Sequence, residues 1–231
     1  MDLFSGDQPS EAILLLSGGL DSGLLLYLIC KYYPEMYIIT ATGQVTNLEN
    51  DVLRARDIIE FVKNTFPNHN IGSSEEYNVD SKNPYWVKKA EEDFNNYNSV
   101  NIISLTNHLQ QVEALKQIRI KTGITTFING TTSNPPLSEM KKYNFNLADP
   151  ARNATNNVEV IITQYDNKLY VPWINKDKRY IANIYKKENL MNSLYTFTAS
   201  CETSLEKRPF AEEPCGKCYG CQEKIWGFLN E

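Results

Sequence analysis

A basic excess is missing: 23 Lys and Arg stand against 28 Asp and Glu, a formal net charge of −5. A general nucleic-acid binder covers phosphates with a positive surface, so nucleic acid is not the expected partner. Histidine is scarce, with only two in 231 residues, and His108 falls in a helical stretch where a satisfied polar contact is the simpler reading. No general base is therefore obvious. Residues 1 to 10 carry no basic segment, and the first long apolar stretch is broken by a polar turn, so neither a signal peptide nor a membrane span is expected. The chain reads as cytoplasmic, where thiols stay reduced and clustered cysteines are metal ligands before they are disulfides. Nothing else in the composition is unusual: 42% hydrophobic and 22% charged residues suit one soluble domain with an appendage.

The informative stretch is Ser17-Gly18-Gly19-Leu20-Asp21-Ser22. It follows the apolar run Ala12 to Leu16 and precedes another, Gly23 to Ile29, which reads as a buried strand, a tight turn and a helix start. Two glycines let such a turn approach a ligand closely, and the first free N–H groups of the helix point into the same space. Converging N–H groups and the positive end of the helix dipole suit a phosphate or pyrophosphate. A Walker A loop would need a Lys directly before its Ser or Thr, and a dinucleotide fingerprint three spaced glycines; neither is here. Without that Lys, phosphate charge must be offset by backbone N–H groups, a metal, or a basic residue from elsewhere. Asp21 is then either a metal contact or part of the turn.

Strand and helix signals alternate from there. Met36 to Ala41 reads as a second strand ending in Thr42-Gly43, and Asn50 to Phe66 as a helix. A weaker strand covers Ile71 to Val79, helices follow over Tyr85 to Tyr97 and Asn101 to Thr122, and Thr125 to Asn129 is the next strand. This order implies an open parallel sheet of Rossmann type with helices on both faces, whose ligands sit beyond the carboxyl ends of the strands. Phosphates belong at Ser17 to Ser22, adenine at Ala41-Thr42-Gly43, and Gly130 and Thr131 end a strand close enough to meet the same ligand. Asn134 to Asn157 is long and without periodicity, a place for acceptor choice. Val158 to Gln164 and Lys168 to Trp173 read as a hairpin around Asp166-Asn167. Lys176, Lys178 and Arg179 gather at a helix start, where cations gain nothing from the dipole, so an anion is expected to face them. The division expected is an ATP-binding α/β unit over 1–172 and a helical, metal-binding tail over 173–231.

Four of the five cysteines fall in that tail: Cys201, Cys215, Cys218 and Cys221. Cys215-Gly-Lys-Cys218 and Cys218-Tyr-Gly-Cys221 share a ligand, and Gly216 and Gly220 permit the knuckle turns. Four thiolates suit Zn²⁺ in a closed structural site that adds folding energy to a tail with little core. An iron–sulfur cluster and disulfides are the competitors. Cys30 sits among leucines and reads as a buried apolar residue.

The Ser-Gly-Gly-Leu-Asp-Ser turn resembles the signature of the PP-loop ATP pyrophosphatases, which split ATP into AMP and pyrophosphate. With the Cys…Cys-Gly-x-Cys-x-x-Cys tail and Trp173-Ile174-Asn175-Lys176 before a helix, the chain looks like the 7-cyano-7-deazaguanine synthases (QueC) within that group, along nearly its whole length. The resemblance implies a ligase using ATP, Mg²⁺ and structural Zn²⁺ on 7-carboxy-7-deazaguanine and ammonia, giving an amide or nitrile by way of an adenylate. Two stretches depart from the pattern. The family's Pro-x-Arg-Asn segment has no counterpart near Asn98 to Thr106, and its Ser-Gly-Tyr-Pro-Asp-Cys segment is replaced by Thr132-Ser133-Asn134-Pro135-Pro136.

In the reading that follows, a carboxylate attacks the α-phosphorus and pyrophosphate leaves into the Ser17–Ser22 cradle, stabilised by loop amides, Ser17, Ser22, and Mg²⁺ held partly by Asp21. Asp21, Ser22 and Lys176 are the expected catalytic residues. A QueC-like component of an antiviral defence system that modifies a protein partner is a second reading, because the acceptor motifs are altered. Thiolation of tRNA is a third, disfavoured by the acidic charge and by Cys30 being the one thiol outside the cluster. The assembly state stays open, a homodimer included.

Overall fold

The computed structural model describes residues 2–4, 8–45, 50–96, 102–143, 145, 152, 160–162, 168–201 and 215–228. β1, Glu11–Leu15, is the axis of the sheet. It pairs in parallel with β2, Tyr37–Val45, on one side and with β4, Thr126–Asn129, on the other. β3, Ile71–Val79, continues parallel beyond β2, and β6, Lys168–Tyr170, beyond β4. β5, Val160–Ile162, closes the far edge antiparallel to β6. The order β3-β2-β1-β4-β6-β5 thus reverses direction at β1, and the crevice beyond β1 and β4 is the topological switch point. β5 and β6 pair antiparallel, as in the hairpin expected from sequence; its turn at Asp166-Asn167 lies outside the described residues, as does most of Asn134 to Asn157 beyond 143.

Alternation along β1 assigns the two faces. Ala12 and Leu14, with Leu16 just beyond, join a core with helix α1, Leu20–Tyr32, helix α2, Asn50–Thr65, and residues of helix α6, Lys178–Lys187. Ile13 turns the other way, with Ile39, Ala41 and Phe127, onto Ile118 of helix α4, Ile102–Thr122. Helices therefore cover both faces, as a parallel sheet demands. α1 is apolar all round, from Leu24 to Cys30, and is buried accordingly. It stops at Tyr32, whose successor Tyr33 donates its N–H back to Ile29 O just before Pro34.

Helix α3, Pro84–Asp93, begins at the proline itself, because Asn83 Oδ1 accepts from the amides of Tyr85 and Trp86; the sequence placed that start in a loop. Described apolar residues from 173 onward pack into the core of the sheet. Trp173, Ile181, Tyr185, Leu190 and Leu194 all join the cluster built on β1. Helix α5, Leu137–Lys142, and helix α8, Tyr219–Phe228, are tied to α6 through one carboxylate, since Glu139 accepts from both Arg179 and Trp226 Nε1. A short helix α7, Leu194–Phe197, leads to Thr198 and the segment that returns to the glycine turn. No described helix is long and apolar enough to cross a membrane.

Candidate active site and cysteine centre

A cleft of about 440 Å³ opens at the carboxyl ends of β1, β2 and β4. Its volume is that of a single nucleotide-sized ligand. Ser17, Gly19, Leu20, Asp21 and Ser22 line it from the glycine turn, Ala41 from β2, Gly130 and Thr131 from the end of β4. Gly18 lies beneath: its φ of 71° is left-handed, and a Cβ there would meet Asp51 O at 2.7 Å. Gly130 is bare for a related reason, since a Cβ would come 3.0 Å from the Ser22 amide and push β4 off the helix start.

The serines hold the turn. Ser17 N–H donates to Ser22 Oγ at 3.1 Å, and Gly19 N–H to Ser17 Oγ at 3.4 Å. Ser22, buried, is thus occupied with the fold of the loop. α1 has Gly19 at its N-cap and no side chain capping it. The anion-facing groups are therefore the first-turn amides of the helix more than those of Ser17 and Gly19.

Four charges meet at the floor. Lys178 Nζ lies 2.5 Å from Asp21 Oδ2 and 3.6 Å from Glu223 Oε2, and Arg152 closes the cluster with a direct pair to Glu223. Arg152 also donates to Thr132 O, Thr132 Oγ1 and Ser133 O. Lys178 and Glu223 are buried. Burial pushes the Asp21 carboxyl up and the Lys178 ammonium pulls it back, with burial prevailing. Asp21 Oδ1 is buried and accepts no hydrogen bond. An orphaned carboxylate oxygen lining a cleft is what a hard cation such as Mg²⁺ takes, so this residue fits that role.

Lys176, the cation expected at this position, is not among the cleft's lining residues: its Nζ sits 5.1 Å from the Tyr180 ring, while Lys178 faces the turn. The reason is the helix cap. Asp177 Oδ1 accepts from the amides of Arg179 and Tyr180, which makes Lys178 the first helical residue and turns it inward. The sequence grouped Lys178 with Lys176 and Arg179, and of the two lysines the fold brings Lys178 to the cleft. Arg152 and Glu223 went unnoticed, since nothing in their neighbourhoods marks them.

At the other end Ala41 lines the cleft with Gly43, Tyr77, Gln111 and Leu115. The Tyr77 ring covers Gly43, where a Cβ would stand 2.7 Å from the ring, and burial pushes its hydroxyl up to about 12. Thr42 points through the sheet to the opposite face by strand alternation, and its hydroxyl is buried there without a partner. Ala41 and Gly43, not Thr42, face the space expected to take adenine.

The four tail cysteines converge. Their sulfurs lie within 4.8 Å of one another, with Cys215 to Cys221 at 3.9 Å and Cys218 to Cys201 at 4.0 Å. A tetrahedron with Zn–S bonds of about 2.3 Å has edges of about 3.8 Å, so the set fits Zn²⁺. Gly216, at φ 70°, lets the Lys217 and Cys218 amides donate to Cys215 Sγ at 3.4 and 3.3 Å, as a thiolate knuckle requires. Cys30 is apart, buried in α1, and burial pushes its thiol up to about 12. The centre is not remote from the cleft: Ala199, Ser200 and Cys201 line it, and the Ala199 amide donates to Gly18 O.

No family model and no curated protein matches the chain. Solved structures do. It is similar to phosphoadenylyl-sulfate reductase from Candida auris in its phosphate complex, at a TM-score of 0.42 and 13% identity over 82% of this chain and 79% of that one. It is also similar to NMN synthetase from Francisella tularensis, at a TM-score of 0.44 and 13% identity over 95% and 84%. That likeness is one of outline, and the site stands on its own geometry.

Proposed function

We propose that this protein is an ATP-dependent ligase that transfers AMP to a carboxylate and releases pyrophosphate. One observation carries the reading: an uncapped helix start behind a double-glycine turn, at the switch point of a parallel sheet, with Asp21 and Lys178 on the floor beside it. The triphosphate would lie against the first-turn amides of α1, with adenine between Ala41, Gly43 and Tyr77. A substrate carboxylate oxygen bonds to the α-phosphorus, the α–β bridging bond breaks, and the electron pair leaves with pyrophosphate. The amides and Lys178 stabilise that leaving charge, and Mg²⁺, held partly by Asp21, would neutralise phosphate oxygens when bound. An amine then attacks the acyl carbon and expels AMP, losing a proton to solvent; ammonia gives the amide. Cys201, Cys215, Cys218 and Cys221 would hold Zn²⁺, and four thiolate ligands would give it a structural role.

The finer assignment, 7-carboxy-7-deazaguanine as acceptor, rests on the resemblance stated above. A mixture of the protein, Mg-ATP, 7-carboxy-7-deazaguanine and ammonium is expected to yield AMP, pyrophosphate and an amide or nitrile by mass spectrometry. ADP as product would reject the chemistry at the α-phosphorus.

A carboxylate on a protein partner is the second reading, and a specific observation favours it. The residues that replace the family's acceptor segment are tied inward: Thr132 bonds Arg152, and Asn134 Oδ1 accepts from the Tyr219 hydroxyl at 2.7 Å. AMP released without deazaguanine but with the partner present would decide for it.

A further inference from the structure

Lys178 has two carboxylates within reach, and that sharing has a use. Its stem is clamped by α8, where a Cβ on Gly227 would lie 2.6 Å from Lys178 Cγ, so only the ammonium end is free to shift. It contacts Asp21 Oδ2 at 2.5 Å, and the alternative acceptor, Glu223 Oε2, stands 3.6 Å away. Glu223 itself is fixed: it is buried on α8 and gripped by Arg152, which Thr132 and Ser133 hold in turn. A cation arriving at the unpartnered Oδ1 of Asp21 must compete with an ammonium already on the same carboxylate. Were Asp21 the sole counter-charge, moving Lys178 away would leave a buried ammonium unpaired, which costs several kcal/mol. Glu223 removes that obstacle.

We propose that Glu223 is a positioning residue: it receives Lys178 when a divalent cation accompanies the nucleotide to Asp21, so the tail helix sets the metal dependence of nucleotide binding. The inference rests on the nucleotide site proposed above. Its signature is selective. A residue that only holds the fold would weaken nucleotide binding equally with and without metal, because both use the same amides. One that accepts Lys178 affects only the metal-dependent part.

The test is the affinity of the zinc-loaded full chain for a non-hydrolysable ATP analogue, by titration calorimetry with Mg²⁺ and again with Mg²⁺ omitted, for the wild type, Glu223→Gln and Glu223→Asp. Zinc content and Tm are recorded for each. Gln keeps the volume and loses the charge; the Mg²⁺-dependent gain in affinity is expected to fall tenfold or more, with less than a threefold change in its absence. Asp keeps the charge and is expected to recover most of the gain; should the Gln protein not fold, Glu223→Met removes the charge in its place. An unchanged metal increment in the charge-removing variant, equal losses under both conditions, or Asp losing the increment as that variant does overturns the inference. Failure of the wild type to bind nucleotide under either condition overturns the nucleotide site itself and, with it, this proposal.

Discussion

The two walls of the cleft are built in opposite ways. One is six consecutive residues, Ser17 to Ser22, whose geometry follows from two glycines, two serines and a buried helix. The other is assembled from Arg152, Lys178, the segment Ala199 to Cys201, and Glu223, which share no local sequence and meet only in the folded chain. The first wall supplies fixed dipoles and the Asp21 carboxylate. The second supplies the other charges of the floor, Arg152, Lys178 and Glu223. Local sequence thus suffices to make the proposed phosphate cradle, while the charges that adjust it depend on long-range packing.

The comparison breaks most severely at the metal. Replacing Cys215 with Ser, or stripping the ion with a chelator, is expected to cost more than about 4 kcal/mol, since metal loss ranks among the largest single perturbations. At about 2–4 °C per kcal/mol the Tm falls by about 10 °C, and nucleotide binding is lost because Ala199, Cys201 and Glu223 leave the cleft together. Differential scanning fluorimetry with and without added zinc checks both. Binding that survives with the second wall gone would show the walls to be independent.

Next in size is Arg152→Ala. It leaves Glu223 buried with only the longer contact to Lys178, so a loss of about 3 kcal/mol in denaturant unfolding is expected, the range for one partner of a buried pair. Gly18→Ala tests the first wall: a left-handed φ costs about 1–2 kcal/mol for an alanine, and the methyl must displace Asp51 O. Stability should fall by about 2 kcal/mol and nucleotide affinity at least tenfold, with zinc content untouched, as inductively coupled plasma spectrometry would show. The smallest effect lies outside both walls. His69 and His108 have pKa values lowered by burial, so the unfolded state binds their protons more readily. The stability they help maintain at pH 7 is lost as pH falls below about 6.5, the ordinary histidine value. His69→Gln should flatten that part of the urea midpoint profile while leaving nucleotide binding at pH 7.5 unchanged.

What could be read from the chain follows the same divide. β1, the turn and α1 are legible because apolar runs and glycines specify them within 20 residues of each other. The cysteine set was legible from spacing alone, and its sulfurs do converge. Lys178 was within sight but was passed over for Lys176, since capping by Asp177 fixes which lysine enters the cleft and a cap shifts the register by two residues. Arg152 and Glu223 had no signal: a lone arginine in an irregular segment and a glutamate in a charged tail helix look like solvated surface until packing buries them. Thr42 failed for a simpler reason, the two-residue alternation of a strand, which sends it through the sheet when Ala41 faces the cleft.

α1 buries ten of its thirteen residues, walled by sheet and neighbouring helices on every side. Such a rod has no room to tilt or slide, so the cradle at its tip works as an anvil. On the function proposed, any adjustment of the cleft to its ligand falls to the opposite jaw, the one hung on the cysteine-bearing tail.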